Sequence, residues 1–212
     1  MRSRGTRLIL VRHGETDWEQ VKNPESQSSG RLLGSTDVGL STRGELRARA
    51  VGTALKRENI TRIVASPLKR AITTAQVIAS ELNLSVTTHE ALREIDFGAC
   101  EGLVFEELAT AFPETHREYL AQGSEISFPS GESFSAFRSR VEAGLKSLLA
   151  VHDGHTILVV THGGVIRVAL CALFKWSPEM FWNIKVDYGS LTSVGVYGKK
   201  VLMERINYTV EV

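Results

Sequence analysis

What this chain lacks narrows its class before any motif is read. It has two cysteines in 212 residues, Cys100 and Cys171, in unlike contexts and without metal-type spacing. That excludes a disulfide-stapled scaffold and a thiolate metal cluster, and a reduced, cytoplasmic protein is expected. Basic and acidic residues nearly cancel, to a net charge of +1, so no footprint for nucleic acid is present. No apolar run approaches the roughly 18 to 20 residues of a membrane span. Arg2, Arg4 and Arg7 make a basic start that no apolar signal segment follows. There is no internal repeat and no long low-complexity segment. The remaining composition, 42% hydrophobic and 23% charged, suits one globular domain over residues 1–212 with a substantial core.

Two segments share a grammar. Leu8-Ile9-Leu10-Val11 is a buried-strand run that stops at Arg12-His13-Gly14, and Thr156 to Thr161 is another that stops at His162-Gly163-Gly164. Ligands of open α/β sheets bind at the carboxyl ends of strands. Each strand therefore delivers one histidine where a ligand would sit.

Strand and helix signals alternate along the rest, which predicts an α/β sandwich with a mostly parallel sheet. Helices are expected over 42–57, with Thr42 and Glu45 as a capping box, from Ser66-Pro67 onward as N-cap and first helical residue, over 133–152, and from about 163. Strands are expected at 7–12, 61–65, 85–88 (an edge) and 156–161, with two or three more in 183–207. Residues 20–39 read as a polar loop. Residues 101–130, with Phe105, Phe112, Tyr119 and Phe128, read as short helices forming a substrate-covering insertion. The strand 191–197 is a candidate edge for pairing two subunits into a homodimer.

Arg12 and Arg70 offer planar forks that fit phosphate oxygens. Arg70 also lies in the first turn of its predicted helix, where anions are favoured. A neutral imidazole can accept a phosphoryl group on nitrogen. Two histidines and two arginines together imply phosphoryl transfer through a phosphohistidine, with no metal needed if these groups carry the charge stabilisation. The leaving alkoxide needs a proton, and Glu94 is the candidate acid, with Glu15, Asp96 and Glu101 as rival carboxylates. His152 and His155 flank a polar turn and lack a third ligand for a metal. His89 and His116 are expected at the surface.

These residues also carry a resemblance. Arg12-His13-Gly14-Glu15-Thr16 resembles the signature of the histidine phosphatase superfamily, in its phosphoglycerate mutase-like branch. Gly34-Ser35-Thr36-Asp37 with Leu40 to Gly44, Ser66 to Ala71 with Thr74-Ala75, Leu92 to Gly102, and Thr161 to Gly164 resemble its further blocks, in the family's order. The resemblance implies a three-layer α/β/α sandwich with a six-stranded, mixed sheet. It implies His13 as the phosphorylated nucleophile, and Arg12, Arg70 and His162 as binders of the phosphoryl group. Glu94 would be the proton donor, with help from the backbone of Gly163.

The chain departs from that pattern where the family has a phosphate-binding Asn six positions after the nucleophile; here it is Glu19. Either Glu19 points away from the phosphate or Asn23, in a loop longer than is usual for the family, substitutes. Cys100 stands where a Trp is usual, away from the chemistry. The implied activity is a metal-independent phosphomonoesterase, without cofactor, acting on a small phosphorylated substrate such as alpha-ribazole phosphate or a sugar phosphate. A phosphoglycerate mutase is the runner-up, disfavoured because mutases are usually longer. A silent binder of a phospho-ligand or protein is the third reading.

Overall fold

A computed structural model describes residues 5–20, 31–123 and 125–211, with the side chains of residues 19 and 20 left aside. Six strands make one sheet: β1 (Thr6–Arg12), β2 (Arg62–Ala65), β3 (Val86–Thr88), β4 (Thr156–Thr161), β5 (Leu191–Tyr197) and β6 (Lys200–Tyr208). Their order is β3-β2-β4-β1-β5-β6. The first four in that order run parallel, and β5 and β6 are antiparallel additions.

The apolar run of β1 is explained by burial on both faces. Ile9 and Val11 pack with Val51, Leu55, Ala75 and Ile78 of α1 (Thr42–Leu55) and α2 (Lys69–Leu82). Leu8 and Leu10 face the opposite way, into a core with Phe137, Val141 and Leu145 of α5 (Phe134–Val151) and Val165 and Ala169 of α6 (Gly163–Phe174). Leu8 and Val11 are fully buried, and each such side chain contributes about 1.5–3 kcal/mol. The result is the three-layer sandwich. The segment read as short helices holds α3 (Phe105–Ala111) and α4 (Pro113–Leu120). No described helix is long and apolar enough to cross a membrane.

Several local expectations are corrected. The cap of α1 is Ser41, whose hydroxyl accepts from Gly44 N at 3.1 Å, so the cap lies one residue earlier and Glu45 reciprocates nothing. Ser66-Pro67 does not begin α2. Ser66 N pairs with Val160 O at 2.9 Å, which prolongs the strand alignment, and the helix starts at Lys69. Strand 191–197 is no edge: β1 and β6 flank it, so it has no free side for pairing subunits. His89 and His116 are half-buried; the first caps a short helical turn, and the second packs on Phe105 with ring centroids 4.4 Å apart. His152 and His155 do lie at the turn after α5, and among the described residues no three metal-capable side chains converge.

Candidate active site

Parallel pairing sets the site. Arg12 is the register partner of Thr161, so the next residues, His13 and His162, leave adjacent strands side by side. Their ring centroids are 5.1 Å apart, and both residues are buried.

His13 Nδ1 lies 2.8 Å from Gly14 O. A carbonyl only accepts, so Nδ1 carries the hydrogen and Nε2 keeps its lone pair. Burial, then the charges of Arg12 and Arg70, hold the His13 pKa well below the usual histidine value. The ring is a neutral base with a fixed tautomer. Gly14 allows this: a Cβ there would lie 2.5 Å from Gly44 O, where α1 closes onto the loop. Gly14 N also donates to Thr74 Oγ1 at 3.1 Å, and that hydroxyl donates to Arg70 O.

His162 Nε2 lies 2.8 Å from Ser66 Oγ. Its buried Nδ1 has no hydrogen-bond partner among the described residues. Burial first, then Arg70 and His13, drive its pKa well down as well.

Arg70 is fully buried in the first turn of α2. It donates to Thr36 O at 2.8 Å and Gly34 O at 2.6 Å. Burial lowers its pKa while Glu94, Glu101 and Asp37 oppose the shift, and a guanidinium stays charged throughout. No carboxylate forms an ion pair with it among the described residues. An interior cation without a paired anion is costly unless a ligand supplies one.

The loop that holds Arg70 is itself held by Glu101. The Glu101 carboxylate accepts from Gly34 N, Ser35 N, Thr36 Oγ1 and Phe97 N at 2.7–3.1 Å. Asp96 accepts from Ser35 Oγ and Gly98 N, and Glu15 is paired with Arg47 at 2.7 Å. The three rivals for the acid role are thus engaged in structure. Glu94 is the carboxylate at the site. Its Oε2 accepts from Gly164 N, at the start of α6, at 3.0 Å, and its Oε1 from Ile95 N at 3.2 Å. Arg140 of α5 donates to the carbonyls of Ala91, Arg93 and Glu94 and fixes that segment.

Arg12 donates to Val186 O at 2.8 Å, and its guanidinium carbon lies 3.4 Å from the ring centroid of Tyr188. Gly163 opens α6 beside the Arg12 side chain. Arg12, His13, Glu94, Phe97 and Tyr188 line a cavity of about 180 Å³, with Arg31 at its wall. Asn23 lies outside the described residues, as does the Glu19 side chain, so the structure does not place the expected substitute for the family's Asn.

The structure brings His13, Arg12, Arg70, Glu94, His162 and Gly163 to one end of the sheet. Sequence reading missed Ser66 as a partner of His162, Tyr188 as the plate under Arg12, and Gly164 as the seat of Glu94. The Gly-Gly after His162 was the available signal for the last: a Cβ on Gly164 would lie 2.4 Å from Glu94 Oε1. Chemically, the arrangement offers a neutral nucleophilic imidazole, cations around it, a second buried imidazole, and one carboxyl group.

Comparison with known proteins gives the family and the fold. The family model described as histidine phosphatase superfamily (branch 1) matches residues 8–209. The chain is similar to phosphoserine phosphatase 1 of Hydrogenobacter thermophilus, 32% identical over 203 residues, 96% of this chain and 92% of that one. Its fold matches the alpha-ribazole phosphatase of Shigella flexneri with a TM-score of 0.85 and 27% identity, over 97% of this chain and 98% of that one. It also matches a phosphoserine phosphatase of Entamoeba histolytica solved with 3-phosphoglyceric acid, with a TM-score of 0.82 and 30% identity, over 96% and 98% of the chains.

Proposed function

The chain belongs to the histidine phosphatase superfamily, as an enzyme of its phosphatase type, and from that premise we propose that it is a metal-independent phosphomonoesterase working through a phosphohistidine. The observation that carries this reading is the His13 Nδ1 to Gly14 O hydrogen bond, which reserves Nε2 for attack. The direction of the His13 pKa, held below the usual histidine value by burial and then by Arg12 and Arg70, supports it, because a neutral ring is the nucleophilic form.

In the first step, the His13 Nε2 lone pair attacks phosphorus and the bond from phosphorus to the alcohol oxygen breaks. Glu94 gives its proton to that oxygen. In the second step, Glu94 takes a proton from water, the water oxygen attacks phosphorus, and the phosphorus–nitrogen bond breaks to release inorganic phosphate. Arg12 and Arg70 supply the positive charge for the transferring group's oxygens. His162 contributes Nδ1, a buried nitrogen open to a hydrogen bond with the group. The relatives named as phosphoserine and alpha-ribazole phosphatases support a small phosphorylated metabolite as substrate.

The test is hydrolysis of p-nitrophenyl phosphate in EDTA by wild type and His13→Ala. We expect turnover that survives EDTA and falls in the variant by on the order of 10³ or more. Equal activity in His13→Ala would refute the assignment. So would wild-type protein that hydrolyses no phosphomonoester yet interconverts 3- and 2-phosphoglycerate.

A further inference from the structure

A second cavity is also lined by Glu94. It measures about 90 Å³ and shares Glu94 and Phe97 with the one containing His13. Its walls are largely aromatic, including Tyr119, Phe134, Phe181 and Trp182. Tyr119 meets Trp182 edge to face at 5.0 Å, and Phe134 meets Phe181 likewise at 4.8 Å, so the walls brace one another. Among the described residues one cation lines this apolar space: Arg167, on α6.

Arg167 is half-buried, and its hydrogen bonding is incomplete. Its Nε donates to Ile184 O at 2.8 Å, which fixes the plane of the guanidinium. No other hydrogen bond and no ion pair engages it among the described residues. Its Nη groups have no acceptor among the described residues and are not fully buried, so they are open to a space walled by rings. Glu94 is close enough to act on it electrostatically but forms no ion pair with it. A half-buried cation that faces an aromatic-walled cavity favours an anion as its ligand.

We infer that Arg167 is a specificity residue that binds a carboxylate on the alcohol portion of the substrate, so that the preferred substrates are phosphomonoesters of small hydroxy acids. The inference rests on the phosphatase reading above, because it places the phosphoryl group against His13 and the leaving alcohol past Glu94. The proton donor then stands at the boundary between the two cavities, where the breaking bond must lie. The size of the second cavity suits a fragment of a few heavy atoms. The charge count selects carboxylate over a second phosphate: one guanidinium matches a monoanion bidentately, whereas the phosphoryl site gathers two arginines and two histidines. A neutral sugar would bring the guanidinium no countercharge.

Matched ligands test this. O-phosphoserine and phosphoethanolamine differ by one carboxylate, as do 3-phosphoglycerate and glycerol 3-phosphate in effect. Binding is measured by calorimetry on protein carrying His13→Ala, which prevents turnover, with and without Arg167→Gln. The carboxylated member of each pair should bind about 10- to 100-fold tighter, and the ratio should collapse to within about threefold in Arg167→Gln. If Arg167→Gln does not fold, Arg167→Lys serves: it keeps the charge but loses the fork, and the ratio should still fall severalfold. A wild-type ratio near one, or a ratio that either variant leaves unchanged, overturns the inference. The two readings fail separately. Preferential binding with no turnover by the unmutated protein would remove the hydrolase and keep the carboxylate site, while turnover without preference would do the reverse.

Discussion

Alanine at Gly164 adds one methyl group, and the structure says where that methyl goes. Its Cβ would lie 2.4 Å from Glu94 Oε1 and 3.2 Å from both Glu94 Cδ and Phe137 Cζ. Phe137 is fully buried and cannot retreat, so the carboxylate must move, by about 1 Å to reach an ordinary contact distance. The helix itself should not suffer, since alanine is favoured over glycine in a helix by about 0.5–1 kcal/mol. Displacing an acid by that much costs on the order of 10²-fold, or about 2.7 kcal/mol in the barrier. The loss should depend on the leaving group. For an alkyl phosphate such as glycerol 3-phosphate, whose alkoxide needs the proton, kcat/KM should drop about a hundredfold. For p-nitrophenyl phosphate, whose phenolate leaves unaided, kcat/KM should change less than about fivefold, because this constant covers only steps up to release of the alcohol. Steady-state kinetics on both substrates, with Glu94→Gln as comparison, decides it. Equal losses on the two substrates, or no loss on either, would refute Glu94 as the acid and Gly164 as its seat.

Glu101→Gln removes the charge that gathers Gly34, Ser35, Thr36 and Phe97. Stability in urea should fall by about 2–4 kcal/mol and inhibition by vanadate should weaken about tenfold, through the loosened hold on Arg70. Both histidines of the site are neutral in the fold and protonate in the unfolded chain below about pH 6.5. Unfolding therefore takes up protons below that pH, and this contribution to stability is complete above pH 6.5 and lost as the pH falls. The slope should reach about 1.4 kcal/mol per pH unit for each imidazole. Urea titrations at pH 7.5 and 5.5 should show the fall, and His162→Asn should reduce proton uptake on unfolding by about one; an unchanged uptake would count against the neutral pair.

The parts legible in sequence are those where one physical cause acts locally. Burial on both faces wrote β1 and β4 as unbroken apolar runs, and Arg12, His13 and His162 could be read from where those runs stop. The parts that were not legible depend on which distant segment arrives alongside. Ser66 has the local chemistry of a helix cap, but its backbone is claimed by Val160 and its hydroxyl by His162. Leu191–Tyr197 has the pattern of an edge strand, and only the position of β6 shows that it is interior. Tyr188 and Arg167 belong to no spacing pattern. Each becomes part of the site because the chain after α6 folds back and presents carbonyls, Val186 O to Arg12 and Ile184 O to Arg167.

Those carbonyls point to a general feature of how this protein uses arginine. At the periphery, arginines meet carboxylates: Arg7 and Arg205 share Glu58, Arg47 takes Glu15, and Arg140 takes Glu132. At the site, Arg70 is tethered by the carbonyls of Gly34 and Thr36, and Arg167 by that of Ile184. A carbonyl orients a guanidinium through its dipole without cancelling its charge, whereas a carboxylate does both. The carboxylates needed nearby are directed at backbone N–H groups instead, Glu101 to the Gly34–Thr36 loop and Glu94 to the start of α6. Positive charge is therefore held in place and left available, in a region whose buried histidines are themselves neutral. Such an arrangement is stable only against the cost of burying uncompensated cations, and binding an anionic substrate relieves that cost. Phosphate added to the protein should accordingly raise its resistance to urea, and the increase should be larger for wild type than for Glu101→Gln, where Arg70 is less firmly aimed.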